Sequence, residues 1–209
     1  VTSGTTGRPK GVWSGVLEEP AARALLEEER ELWGFTGSDV HLVLSPLYHS
    51  APLRFSVGTL LAGGEVVVVG ADPTAVTAAI VEHRPTTMFC VPTHLQRLFA
   101  HWGEAGVPDL SSFRMVAHAG AACPPDVKRR LIEVFPAGST WEFYGSTEGQ
   151  FTACPADEWS ERPGTVGRAR PGRTLSTDDD GTIWCAGPTA RPCPPGRWTR
   201  PPMTPNTTT

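Results

Sequence analysis

The chain has 209 residues, room for one domain or two small ones. Hydrophobic residues make up 39% and charged residues 19%, which excludes a fibrous or wholly disordered chain. The net charge of −4 gives no electrostatic footprint for nucleic acid, and no apolar run approaches the ~20 residues of a membrane span.

The chain opens at Val1 with no methionine, basic segment or apolar leader, so it reads as beginning inside a domain. Glu18-Glu19 and Glu27-Glu28-Glu29 belong to a charged helix, with the acidic residues expected on a solvated face. His41 to Ser45 is a short apolar strand ended by Pro46, and a helix follows over 50–62, closed by Gly63-Gly64. Glu65 to Val69 carries four consecutive valines, the pattern of a strand buried on both faces. Residues 74–84 form a helix with Val76, Ala79 and Ile80 at helical spacing. Thr86 to Val91 is the next strand, and Pro92 opens a helix to about Trp102. Phe113 to Ala117 is a strand, Pro124-Pro125 starts a helix through Val134, and Trp141 to Tyr144 is a strand. Asp180-Gly181 marks a turn before the short strand Ile183-Trp184-Cys185. The alternation predicts an α/β fold: mostly parallel sheets flanked by helices over 1–187.

From 188 to 209 the chain is proline-rich and nearly free of apolar residues. It has too little to bury to offset its ordering entropy and reads as a disordered tail, with a shifted reading frame as one explanation. Five cysteines, at 90, 123, 154, 185 and 193, form no Cys-x-x-Cys pair. They read as small buried hydrophobes in a reduced, cytoplasmic chain.

The densest chemical signal is Thr2-Ser3-Gly4-Thr5-Thr6-Gly7-Arg8-Pro9-Lys10-Gly11. Glycines let backbone N–H groups wrap a phosphate, hydroxyls add donors and lysine adds a point charge. The spacing does not fit a Walker loop, and a plain surface turn would not need this set of groups.

This segment resembles the phosphate-binding loop of the acyl-adenylate-forming (AMP-binding) superfamily. Further matches come in the family's order: Pro46-Leu47-Tyr48-His49-Ser50, Gly120-Ala121-Ala122-Cys123-Pro124, Tyr144-Gly145-Ser146-Thr147-Glu148-Gly149, Gly164-Thr165-Val166-Gly167-Arg168, and Asp180-Gly181-Thr182-Ile183. The resemblance implies ATP-dependent activation of a carboxylic acid to an acyl-adenylate, then thioester formation with coenzyme A. It implies that Thr2, Ser3, Gly4, Thr5, Thr6, Gly7 and Lys10 hold the β- and γ-phosphates. Thr147 would meet the α-phosphate region, with Gly145 and Ser146 in the same motif, and Glu148 would bind Mg²⁺ through its hard carboxylate oxygens. Gly120, Ala121 and Ala122 would lie along the adenine and Tyr144 would pack on the base. His49 would stand beside the acyl pocket, orienting the carboxylate or gating the pocket, unless it is only a half-buried residue at a helix start. His118 would line the same pocket, unless it is a packing residue. His41, His83, His94 and His101 are expected at the surface or in packing.

Ser3-Gly4-Thr5-Thr6-Gly7 reads as the loop of many CoA ligases. No aspartate stands near His49 to hold a substrate ammonium, so a simple acid is favoured over an amino acid: fatty, steroid-side-chain or aryl. The family's later ribose-binding and lysine-bearing segments have no counterpart, and no lysine follows Lys128. The chain alone is therefore expected to be an inactive fragment of such a ligase. A non-enzymatic nucleotide-binding remnant and a peptide-synthetase adenylation module are the alternatives.

Overall fold

A computed structural model describes residues 18–146, 149–181 and 183–186. The phosphate-loop residues 2–11, Thr147, Glu148 and the tail 188–209 lie outside the described residues.

The elements in chain order are α1 (Glu19–Trp33), β1 (Val40–Val43), α2 (Ser50–Leu61), β2 (Glu65–Val68), α3 (Pro73–His83), β3 (Thr87–Cys90), α4 (Pro92–Ala105), β4 (Met115–His118), α5 (Pro125–Val134) and β5 (Thr140–Glu142). After them come β6 (Gly145–Ser146), β7 (Gly149–Gln150), β8 (Thr152–Pro155), α6 (Ala156–Glu161), β9 (Arg168–Ala169), β10 (Thr174–Thr177) and β11 (Ile183–Ala186). Proline opens α3, α4 and α5, where its missing N–H costs nothing and its fixed φ suits the first turn. Asp72 caps α3, its carboxylate accepting from the Ala75 N–H at 2.9 Å.

Seven strands form one sheet in the order β2-β1-β3-β4-β5-β8-β9. The pairs from β2 to β5 are parallel; β8 and β9 add antiparallel to that edge. Side-chain alternation divides the sheet into two buried faces. Leu42, Leu44, Met88, Cys90 and Val116 point to the face covered by α3, α4 and α5, where they pack on Ile80, Leu95, Trp102 and Leu131. Phe89, Met115, Ala117, Ala119 and Phe143 point to the other face and meet Trp33 of α1 and Phe55 of α2. That second face is an aromatic cluster: the Phe55 ring lies 5.0 Å from Trp33 and 5.5 Å from Phe89.

Two expectations change. The valine run 66–69 lies at the sheet edge: β2 is the terminal strand, and Val68 is 66% exposed. A β-branched run alone does not distinguish an edge strand from a central one. The acidic run in α1 is not wholly solvated. Glu29 is buried, accepting from Trp33 Nε1 at 3.1 Å, Arg54 Nη2 at 2.6 Å and Arg170 Nη2 at 2.5 Å. Glu28 pairs with Arg170 at 3.0 Å and with Arg173. The arginines come from α2 and from the chain after β9, so their approach to α1 is invisible in local sequence. His41, expected at the surface or in packing, takes the second place: it is fully buried, with Nδ1 2.9 Å from the Thr87 hydroxyl and its ring stacked on Phe55. Burial pushes its pKa down to about 4, so it packs as a neutral ring.

At the N-terminal edge of the sheet, Asp39 ties together three segments distant in sequence. Its carboxylate accepts from the Thr36 N–H at 2.8 Å, the Thr86 hydroxyl at 2.7 Å and Arg114 Nε at 2.7 Å, and pairs with Arg114 Nη2. Gly167, from the Gly164–Arg168 stretch, has φ +86°, and a Cβ there would lie 2.1 Å from the Ala153 carbonyl oxygen. Only glycine permits that approach. Cys90 and Cys154 are buried and Cys123 and Cys185 half-buried, all four as free thiols; Cys193 lies outside the described residues.

Candidate functional site

Parallel strands place their C-terminal ends on one edge, and the segments leaving that edge build the site. In the order β2-β1-β3-β4-β5 the connections run to opposite sides of β1, which opens a crevice beyond the ends of β1 and β3. Pro46-Leu47-Tyr48-His49 leaves β1 there, Gly120-Ala121-Ala122 leaves β4, and Phe143-Tyr144-Gly145 leaves β5.

His49 is the N-cap of α2, in extended backbone with φ −81° and ψ 143° and no side-chain capping bond. Its N–H donates to the Pro46 carbonyl at 3.1 Å, which closes the turn. The ring is exposed, with the Tyr48 ring 4.4 Å away, and Tyr48 is itself 81% exposed. His49 is thus not the half-buried helix-start residue of the alternative reading.

Gly120 turns the chain out of β4 with φ +93°, and a Cβ there would lie 3.4 Å from Val91 Cγ1. Gly120, Ala121 and Ala122 are exposed and carry no side chain larger than a methyl, which makes this bend a small-residue ledge. The Phe143 N–H donates to the His118 carbonyl at 3.1 Å, which ties the β4 exit to the β5 exit. The Tyr144 N–H donates to Thr152 Oγ1 at 2.9 Å, and its carbonyl accepts from the Phe151 N–H at 2.8 Å. Those bonds hold Tyr144 against β8, with its ring 6.0 Å from Phe151. Gly145 and Ser146 pair with Gln150 and Gly149, and Thr147 and Glu148, which fall between them in sequence, are outside the described residues.

The structure brings His49, Gly120 to Ala122, and Tyr144 to Gly145 to this edge. His118 goes elsewhere. It shares the α5-facing side of β4 with Val116, whereas Ala117 and Ala119 face the α1–α2 side. Its ring is fully buried; Nε2 lies 2.7 Å from Lys128 Nζ. Lysine has only donors, so Nε2 accepts and the ring proton sits on Nδ1. Burial and the Lys128 charge push the His118 pKa down to about 3. Glu142, the Cα partner of His118 across β4–β5, completes the group at 3.4 Å from Lys128 Nζ. Burial lowers the Lys128 pKa and raises that of Glu142, and each charge partly offsets the shift of the other.

Sequence reasoning missed Lys128 and Glu142. The signal was there: each is a charged residue within an apolar-periodic element, Lys128 three positions after Pro125 and Glu142 two before Tyr144. A separate hollow of about 340 Å³, lined by Gln96, Phe99, Asp126, Val127 and Arg130, lies between α4 and α5 and not at the crevice.

Known proteins are similar to this chain in sequence and fold. The chain is 35% identical over 206 residues to the feruloyl-CoA synthase of Amycolatopsis sp, covering 93% of this chain and 38% of that protein. It is 36% identical over 151 residues to the 4-chlorobenzoate–CoA ligase of Pseudomonas sp., covering 70% of this chain and 28% of that protein. The o-succinylbenzoate CoA synthetase of Bacillus subtilis, solved with its acyl-adenylate intermediate, superposes with a TM-score of 0.74 at 25% identity, over 90% of this chain and 40% of that one. The chain thus spans less than half the length of these relatives. The AMP-binding enzyme family model matches residues 1–190, all of the chain that precedes the proline-rich tail and the first three residues of that tail. The ordered motifs, the edge on which they meet and that match place this chain in the AMP-binding enzyme family.

Proposed function

We propose that these residues form the nucleotide face of an acid–CoA ligase. Such an enzyme joins a carboxylate to the ATP α-phosphate, releases pyrophosphate, and passes the acyl group to the thiol of coenzyme A. The carrying observation is that His49, the Gly120–Ala122 ledge and Tyr144 leave three different strands and arrive at one edge. In-line attack at phosphorus asks a protein mainly for positioning and charge neutralisation. The ledge admits the adenine because it has no bulky side chain, and Tyr144 packs on the base. Ser3 to Lys10 hold the β- and γ-phosphates, and Thr147 meets the α-phosphate.

Among the described residues no three metal-ligating side chains converge. Mg²⁺ characteristically uses one or two carboxylates plus substrate phosphates, so Glu148 with the ATP oxygens is a sufficient donor set. When bound, the ion neutralises phosphate charge.

His49 orients the acid carboxylate, with the open Tyr48 ring beside it. Of the three acid classes, an aryl acid fits best: that exposed aromatic surface is at hand, and the relatives described above are named for ferulate and 4-chlorobenzoate. The test replaces the matching segment of a feruloyl-CoA synthase with residues 18–186 and measures pyrophosphate release with aryl, fatty and steroid-side-chain acids. The expected result is release with aryl acids ahead of the others. A folded chimera that binds no ATP would overturn the nucleotide assignment; one that prefers fatty acids would overturn the acid class.

A further inference from the structure

Lys128, His118 and Glu142 have no part in the assignments above, yet they form a buried polar group immediately behind the nucleotide edge. His118 is the last residue of β4, two before Gly120, and Glu142 is the last of β5, two before Tyr144. The two are register partners. Lys128 reaches them from α5 and is itself fully buried. Its ammonium lies 2.7 Å from His118 Nε2 and 3.4 Å from Glu142 Oε2, while His118 Nε2 lies 3.8 Å from Glu142 Oε2. Among the described residues His118 Nδ1 has no hydrogen-bond partner.

A lone buried ammonium is costly, and apolar packing at this place would hold α5 equally well. What the ionic group adds is direction. One donor is shared between the ends of two strands, so it fixes those ends relative to each other and to the helix that follows the ledge. The backbone bond from the Phe143 N–H to the His118 carbonyl lies directly above it.

We propose that Lys128, His118 and Glu142 form a positioning clamp that holds the Gly120–Ala122 ledge and the Tyr144 turn at a fixed spacing for nucleotide. None of the three touches the nucleotide; they act through the two segments that do. This rests on the nucleotide reading above.

The test uses the full chain and the double variant Lys128→Met/Glu142→Gln. The two changes remove the ammonium and the carboxylate together, so no unpaired charge is left buried. Hydrogen exchange, the imidazole nitrogen shifts of His118 and the affinity for a fluorescent ATP analogue are compared. The parent should show the Nδ1–H tautomer. In the variant, amides of 119–123 and 143–145 should exchange at least about tenfold faster, while amides of β1 and β3 keep their protection. Affinity for the analogue should fall by about tenfold as well. Unchanged exchange at both segments would overturn the clamp, and so would an equal rise across β1 and β3, which marks a merely structural role. A parent that binds no ATP analogue would sink the nucleotide reading instead, and the exchange comparison alone would then decide whether the three residues hold the two segments.

Discussion

Asp39→Asn is the sharpest test of how this sheet is held. The carboxylate is 2% exposed and accepts from Thr36, Thr86 and Arg114, residues up to 75 positions away. Burial alone would raise its pKa, but the bonds from Arg114, Thr86 and Thr36 outweigh that and hold it below its usual value. The amide keeps the shape but removes the charge and turns one acceptor into a donor facing donors. Charged hydrogen bonds are worth about 1.5–3 kcal/mol each, and breaking a buried pair costs about 3–5 kcal/mol, so a loss of about 3 kcal/mol is expected. With a urea slope of about 2 kcal/mol/M, the unfolding midpoint falls by about 1.5 M. A group with depressed folded pKa contributes stability in full above its unfolded pKa, and that contribution is lost as pH falls through the folded value. Parent stability should therefore drop on acidification below about pH 4, and the Asn variant should lack that part of the drop. Asp109 provides the control: its pKa is also lowered, by Ser111 and Arg84, but it is exposed, so Asp109→Asn should leave the midpoint where it is. An Asp39→Asn midpoint within about 0.3 M of the parent would refute the reasoning.

Gly167→Ala should destabilise by about 2–4 kcal/mol, because the new Cβ meets the Ala153 carbonyl at 2.1 Å in a positive-φ backbone; urea unfolding measures it. In the feruloyl-CoA synthase chimera extended to residues 2–186, Glu148→Ala should lower pyrophosphate release by about 10²-fold at ordinary Mg²⁺, and near-parental release would remove Glu148 from the metal assignment. His49→Ala should change the order of preference among acids while ATP affinity stays within about threefold of the parent; equal losses with every acid and weakened ATP binding would make His49 structural.

The order of strands and helices from α1 to β5 was legible because it rests on local periodicity and proline placement; the short elements β6 to β10 and α6 carry no such pattern and were not read. Val76, Ala79 and Ile80 lie in the core where their spacing put them. The candidate site was legible only as motifs. That 49, 120–122 and 144–145 share an edge follows from parallel pairing, which no single motif states. The misreadings arose wherever the deciding partner was far along the chain. Glu29 meets Arg170, 141 positions away. Val68 is exposed because no strand lies beyond β2 among the described residues. His118 turned inward because strand alternation fixes its side, and a motif that names 120–124 says nothing about the parity of 118.

The placement of buried charge divides labour in this fold. Apolar burial is non-directional, and two faces of Leu, Val and Phe would tolerate small slips of one layer over another. The ionic groups sit where such slips matter. Asp39–Arg114 spans the strand starts at the N-terminal edge. Lys128–His118–Glu142 spans the strand ends at the C-terminal edge. Glu28 and Glu29 with Arg54, Arg170 and Arg173 join α1 to α2 and to the segment after β9. Each carries a desolvation cost that hydrophobic residues would avoid, so added stability is a poor account of them. Relative position is the better one: the edge proposed to take the nucleotide has exposed Gly120, Ala121 and Ala122 at its surface, with no side chain larger than a methyl to fix its shape, so its geometry is set from underneath.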